Sequence, residues 1–347
     1  MAPDRQPEAV AGGARVALRH LSGLATAAEA GRSWRFAARL AIGGLLVYYV
    51  TAKSIEISDR SLLVLLNGLT AAALYFLMAS GFTLLFGLVR VTNLAHGGVY
   101  LLGGYVALSV QRATGNWLAA IGLGFLFSGG IGIILYLLLR RLRGEGLRET
   151  MVTLGAAIVM ADQALAQWGG VPSDLDPPAF LQGSLPLPAS PLLYPKFRIA
   201  VIGLAVLAGL ALWLLLYRTR LGMIIRAGVD DQDMVSMAGI RVELVFCAVF
   251  VLAGGLAGMA GVAGGTYLSL AQGEDNRILL ASLIVVIAGG LGSLRGAGAA
   301  AVLVGLVEAF AQTHHAILSV LITFGTLIAV LALRPHGLFG QPVDARL

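Results

Sequence analysis

Cysteine is almost missing from this chain: the one present, Cys247, stands inside an apolar run. A disulfide framework or a cysteine zinc site is therefore excluded within one chain. Lysine is nearly as scarce. Lys53 follows Ala52 and Lys196 follows Pro195, so neither completes the Gly-Lys-Ser/Thr of a phosphate-cradling loop. If ATP drives this protein, another polypeptide binds it. Neither a His-Glu-x-x-His zinc motif nor a Gly-x-Ser-x-Gly nucleophile elbow occurs, which argues against an enzyme. Charge is low as well: Asp, Glu, Lys and Arg make up 12%, against about 25% in a soluble domain.

What fills the gap is apolar. The hydrophobic set reaches 58%, with 46 glycines among the 347 residues. A water-soluble globule of this size has too little interior for so much apolar surface. The basic balance, +6 formally, invites a nucleic-acid reading. The charges, however, sit at the ends of apolar runs and form no basic patch with interleaved aromatics. The chain reads as an all-α, polytopic membrane protein of about ten helices, some short or broken. The expected spans are 36–52, 61–88, 94–110, 117–139, 150–168, 199–217, 244–270, 278–292, 296–312 and 317–333. The third, eighth and ninth are short enough to be tilted, broken or re-entrant.

Lys and Arg set the orientation. Placing both termini in the cytoplasm puts sixteen of them inside, in the tail, near 140–149, near 218–243 and at the C-terminus. Six stand outside, Lys53, Arg60, Arg112, Lys196, Arg198 and Arg277, while Arg90 and Arg295 lie in short breaks and count for neither side. That asymmetry follows the positive-inside rule. Residues 1–34 read as a basic cytoplasmic tail, 35–340 as the membrane domain and 341–347 as a short tail.

Two loops exceed a turn. The outer one, 169–198, holds Pro172, Pro177, Pro178, Pro186, Pro188, Pro191 and Pro195, which forbid a regular helix. It suits either a docking surface or a spacer. The inner one, 218–243, predicts a short helix opening at Asp230, with Asp231 and Asp233 in its first turn, where the helix dipole favours carboxylates. Gly239 is placed to end it in a left-handed conformation. Such a helix fits a partner's groove or the bilayer surface.

Polar and glycine-rich interruptions mark the remaining candidates. Asn93, His96, Gly97 and Gly98 form one break, and Gly289, Gly290, Gly292 and Ser293 form another. Broken helices in transporters present backbone groups to a pathway. Asn93 and His96 serve equally to tie their break together by hydrogen bonds. The paired glycines Gly254/Gly258 and Gly261/Gly265 read as helix packing. Asp162 and Glu308 lie within expected spans with no obvious partner in their own helices, so each pairs with a neighbour's arginine or faces a wet cavity.

Four stretches together resemble the permease subunits of branched-chain amino-acid ABC importers, the LivH-like family. They are Asn93–Tyr100, Arg226-Ala227 through Gly239-Ile240, Ala288–Ser293 leading into Gly296-Ala297, and Arg334–Gly340. Their order and spacing hold from about residue 60 to 340; residues 1–34 fall outside. The resemblance implies a bacterial inner-membrane assembly: a second homologous permease, two cytoplasmic ATP-binding subunits carrying ATP and Mg, and a periplasmic substrate-binding protein. It implies that this chain binds no cofactor itself. It casts Arg226, Ala227, Asp230, Asp233, Met237, Ala238, Gly239 and Ile240 as the coupling segment, with the two breaks on the pathway. Permeases for urea and short amides, or for aromatic acids, share much of this pattern. A self-sufficient channel or a proton-coupled carrier is the alternative of another class.

Overall fold

The computed structural model describes residues 61–89, 91–142, 144–186, 193–230, 235, 237, 239 and 241–340. The expected span 36–52, both tails, Arg90, Asp231, Asp233, Ala238 and Ile240 lie outside the described residues. Ten α-helices follow in order: α1 Ser61–Leu84, α2 His96–Thr114, α3 Trp117–Leu139, α4 Gly146–Trp168, α5 Lys196–Arg218, α6 Arg220–Asp230, α7 Val242–Tyr267, α8 Glu274–Gly289, α9 Leu294–His314 and α10 Ser319–Leu333. Six of the described helices are long and apolar enough to cross a membrane: α1, α3, α5, α7, α9 and α10, the first and last with their adjoining turns. The protein is a polytopic all-α membrane protein.

The helices sit where hydropathy and punctuation place them. Asn116 caps α3 by accepting from the amides of Leu118 and Ala119 at 2.9 and 3.2 Å. Gly115 ends α2 with φ +66°. Two expectations need correction. The ninth span is not short: α9 runs 21 residues, because Ser293 caps it early by accepting from the Gly296 amide at 3.1 Å. The inner loop also holds a helix, α6, that starts ten residues before Asp230. Thr219 supplies its cap: the backbone there is extended, and Oγ1 accepts from the Gly222 amide at 3.1 Å.

The core is made by α1, α2, α7, α8 and α9, whose small residues let backbones touch. Along α7, Gly254 and Gly258 face Ser128 of α3, while Gly258 and Gly261 face Gly103 and Gly104 of α2. A Cβ on Gly104 falls 2.9 Å from the Gly261 carbonyl, so a side chain there wedges the pair apart. Helices α3, α4, α5 and α10 line the periphery. Leu118, Leu126 and Ile134 of α3 and Val206 and Leu207 of α5 are more than half exposed, an apolar belt suited to lipid and far beyond what a soluble surface tolerates.

Of the proline-rich loop the described residues are 169–186 and 193–198; Pro188 and Pro191 lie outside them. The loop forms a 3-10 turn at Ala179–Leu181 and a two-stranded antiparallel hairpin, β1 Ser184–Pro186 with β2 Leu193–Pro195. Ser173 bridges to Leu270 beyond α7, and Gln111 of α2 exchanges hydrogen bonds with the Asp176 backbone at 2.6 and 3.1 Å. Tyr194 is wholly buried, its hydroxyl 2.8 Å from the Leu66 carbonyl and 2.7 Å from the Thr70 hydroxyl of α1. Burial holds its phenol pKa above the ordinary value, so it remains a neutral donor.

Candidate functional site

The first break is packed shut. Asn93 Oδ1 accepts from the Ala95 amide at 3.1 Å, and the Leu94 amide donates to Thr153 Oγ1 of α4 at 3.2 Å. His96 is buried, with Nε2 3.2 Å from the Met78 carbonyl of α1. A Cβ on Gly97 falls 2.6 Å from the Asp275 carbonyl of α8, and one on Gly98 3.0 Å from Met160 of α4. These residues join α1, α2, α4 and α8 at one knot.

The second break joins two stretches that stand some fifty residues apart. The Leu338 amide donates to the Ala288 carbonyl at 2.8 Å and the Phe339 amide to the Gly289 carbonyl at 3.0 Å. Gly290 and Gly292 have φ of +101° and +82°, a backbone region that costs other residues about 1–2 kcal/mol. Gly290 lies against Gly337 and Gly340, and Gly292 against Gly87 in the π-helical turn Leu85–Val89 that follows α1. Ser293 is the α9 cap. The C-terminal stretch thus closes the open carbonyls at the end of α8.

The inner segment folds onto this end. In α6, Gly222 and Ile225 are buried while Met223 and Ala227 are exposed. Arg226 lies 4.8 Å over the Tyr217 ring of α5, and Arg295 of α9 approaches the same ring at 6.0 Å. Beyond Asp230, Val235 is buried, Met237 is 80% exposed and Gly239 has φ +77°.

Of the two acids, Asp162 is exposed on α4. Glu308 is not without a partner in its helix. Its Oε1 accepts from Gln312 at 2.9 Å, and its Oε2 accepts from the Tyr75 hydroxyl of α1 at 2.6 Å. The i, i+4 spacing of Glu308 and Gln312 was the overlooked signal.

Glu308 and Tyr75 open onto a polar cavity of about 310 Å³, also lined by Asn67, Arg198, Tyr267, Arg277 and Gln312. A second cavity of about 220 Å³ shares Tyr75, Arg277, Glu308 and Gln312 and reaches Ser319 and Thr323 of α10. Arg198 lies in the first turn of α5, where it donates to Asn67 Oδ1 at 2.7 Å and stacks 4.9 Å over the Tyr267 ring. Arg277 lies in the first turn of α8, paired with Glu274 at 3.0 Å. Sequence reasoning had treated both arginines as outer-loop charges. The structure puts both on the lining of this cavity, at the end of the bundle that carries the proline-rich loop, with Arg198 part-buried and Arg277 exposed. None of the residues of either break lines this cavity. Among the described residues no group of three His, Cys, Asp or Glu stands together as a metal site.

Comparison with known proteins agrees along the whole described bundle. The chain is 29% identical over 295 residues to the high-affinity branched-chain amino acid transport system permease protein BraD of Pseudomonas aeruginosa, covering 80% of this chain and 95% of that one. It is 26% identical to LivH of Escherichia coli, over 80% of this chain and 94% of the relative. A probable LivH of Methanocaldococcus jannaschii is also 26% identical, over 77% of this chain and 89% of the relative. No solved structure matches it. The family model described as branched-chain amino acid transport system / permease component matches residues 64–331, and the chain belongs to that family.

Proposed function

We propose that this protein is the membrane-spanning permease of an ATP-driven importer for branched-chain amino acids. It pairs with a homologous permease, receives substrate from a periplasmic binding protein and is driven by two cytoplasmic ATP-binding subunits. The observation that carries this reading is the near end-to-end match to proteins named as high-affinity branched-chain amino acid permeases. The missing Gly-Lys-Ser/Thr motif supports it independently, since the chain has no nucleotide engine.

In this reading the membrane is the bacterial inner membrane and both termini face the cytoplasm. The segment 220–240 meets the ATPases. Its exposed Met223, Ala227 and Met237 offer contacts, and α6 is seated on α5 through Arg226 and Tyr217. Closure of the ATPases moves this seat, and α5 carries the movement across the membrane to Arg198 at its far end. Coupling of this kind requires contacts that differ between two states. The outer face that meets the binding protein is the proline-rich loop 169–198. An open cleft of about 610 Å³ lies beneath it, with Arg112, Asp174 and Asp176 on its rim.

Purification of the chain with its neighbours tests the proposal. Two ATP-binding subunits are expected to co-elute with two permeases, and vesicles carrying the assembly accumulate leucine only with ATP. Accumulation by this chain alone, abolished by a protonophore, overturns it in favour of a carrier.

A further inference from the structure

Two opposite charges face the polar cavity, and neither has an ionic partner. Arg198 has an amide oxygen and two ring faces for company, and no carboxylate within 4.0 Å among the described residues. Glu308 takes one neutral donor on each oxygen, and no Lys or Arg approaches it within 4.0 Å among the described residues. Arg277, the third charge, is half exposed and held by Glu274 at 3.0 Å, with a weaker attraction to Glu308. Opposite charges that line one poorly solvated cavity attract each other. Here Arg198 and Glu308 do not close on one another, and the cavity stands between them.

Helix propensity does not account for Arg198. A cation in the first turn of α5 lies at the positive end of the helix dipole, which disfavours it. Its guanidinium is instead oriented by Asn67 and the Tyr267 ring. Glu308 is likewise held in place, by Tyr75 and Gln312, with acceptor capacity to spare on both oxygens. Both groups are preorganised, and both remain short of one strong partner. Between them the wall is aliphatic, from Ala71, Leu74 and Leu268.

We infer that this cavity is the resting place of an aliphatic α-amino acid in transit, its carboxylate against Arg198, its ammonium against Glu308 and its side chain along Leu74 and Leu268. This deepens the proposed function and rests on it for the class of substrate. A zwitterion satisfies both unpaired charges at once. A simple anion or cation satisfies one and leaves the other, part-buried, without a counter-charge. The volume, about 310 Å³, is at the small end for ligand cavities, as a single amino acid requires.

The test uses the full chain in lipid nanodiscs and tritiated L-leucine. In the unmodified protein, 4-methylpentanoate lacks the ammonium and 3-methylbutylamine lacks the carboxylate. Each is expected to compete at least about tenfold more weakly than leucine, the loss of one charge-assisted contact. Equal competition by either analogue overturns the site without recourse to any variant. Arg198→Gln is expected to weaken leucine at least about tenfold and leave 3-methylbutylamine unchanged. Glu308→Gln is expected to weaken leucine to a similar extent while sparing 4-methylpentanoate. Arg198→Lys, which keeps the charge, recovers part of the leucine binding. If it binds no better than Arg198→Gln, or if both neutral variants bind leucine normally, the site is wrong. The two readings fail separately. An assembled importer that pumps leucine at the unmodified rate with Arg198→Gln removes this site and leaves the permease. An unmodified importer that moves no amino acid removes the functional reading.

Discussion

Gly87 and Gly292 meet backbone to backbone, the first in the π-helical turn after α1 and the second in the break between α8 and α9. A Cβ on Gly292 lies 3.0 Å from the Gly87 Cα, and φ there is +82°. This contact ties the α1 exit to the loop that the C-terminal stretch closes, so the ends of α1, α8 and α9 form one joint.

Substitution at that joint is expected to be costly. Gly292→Ala combines a left-handed backbone with a tight contact. It should cost about 1–2 kcal/mol from the backbone alone, with the steric cost in addition. Gly155→Ala and Gly325→Ala are the controls: a Cβ at either meets nothing within 4 Å, and helix propensity favours alanine by up to about 1 kcal/mol. Thermal melting in detergent should fall for Gly292→Ala and hold or rise for the controls. Equal behaviour of all three removes the joint.

The outer hairpin should depend on Tyr194. Tyr194→Phe deletes the hydroxyl that meets Leu66 and Thr70 in α1, a loss of about 1–3 kcal/mol where the remaining groups stay buried. Limited proteolysis should then cut between Gly183 and Pro195 sooner, while the membrane helices survive intact. An unchanged cleavage rate means that the hairpin is held by other contacts.

The inner segment makes a separable prediction. Arg226→Ala removes the stacking on Tyr217, worth about 0.5–1 kcal/mol if exposed. Gly239→Val places a β-branched residue at φ +77°. Both are expected to insert normally, yet to lose ATPase co-elution and uptake. Retained co-elution in both shows that the ATPase contact lies elsewhere.

Asp162→Asn should leave uptake unchanged, because Asp162 is exposed on α4 and lines neither polar cavity. Leucine uptake by the assembled importer, measured with and without a protonophore, checks this. A loss specific to the variant points to proton coupling.

How much was legible beforehand differs by feature. The expected start at 117 coincides with α3, which Asn116 caps, whereas the expected end at 110 stops four residues short of Thr114, after which Gly115 ends α2. Thr219 carries a cap signal too, but the carboxylates Asp230, Asp231 and Asp233 are the stronger first-turn mark in the same loop and draw the expected helix start to Asp230. Arg198 and Arg277 looked like loop charges for another reason. Their position near an outer boundary is visible in a string of letters, whereas the direction in which a first-turn side chain points is not.

Hydropathy, punctuation and charge asymmetry by themselves determined that this chain is a helical membrane protein, where its described helices other than α6 lie to within a few residues and that it carries no phosphate-binding loop, because each of these is a local or additive property. Only the tertiary structure decided that Glu308 meets Tyr75 across 233 residues, that the end of α8 is closed by Leu338 and Phe339, and that Arg198 and Arg277 line one cavity with Glu308. Those relationships depend on which helix faces come to lie against each other, and that follows from close packing among glycines and alanines that look much alike in sequence.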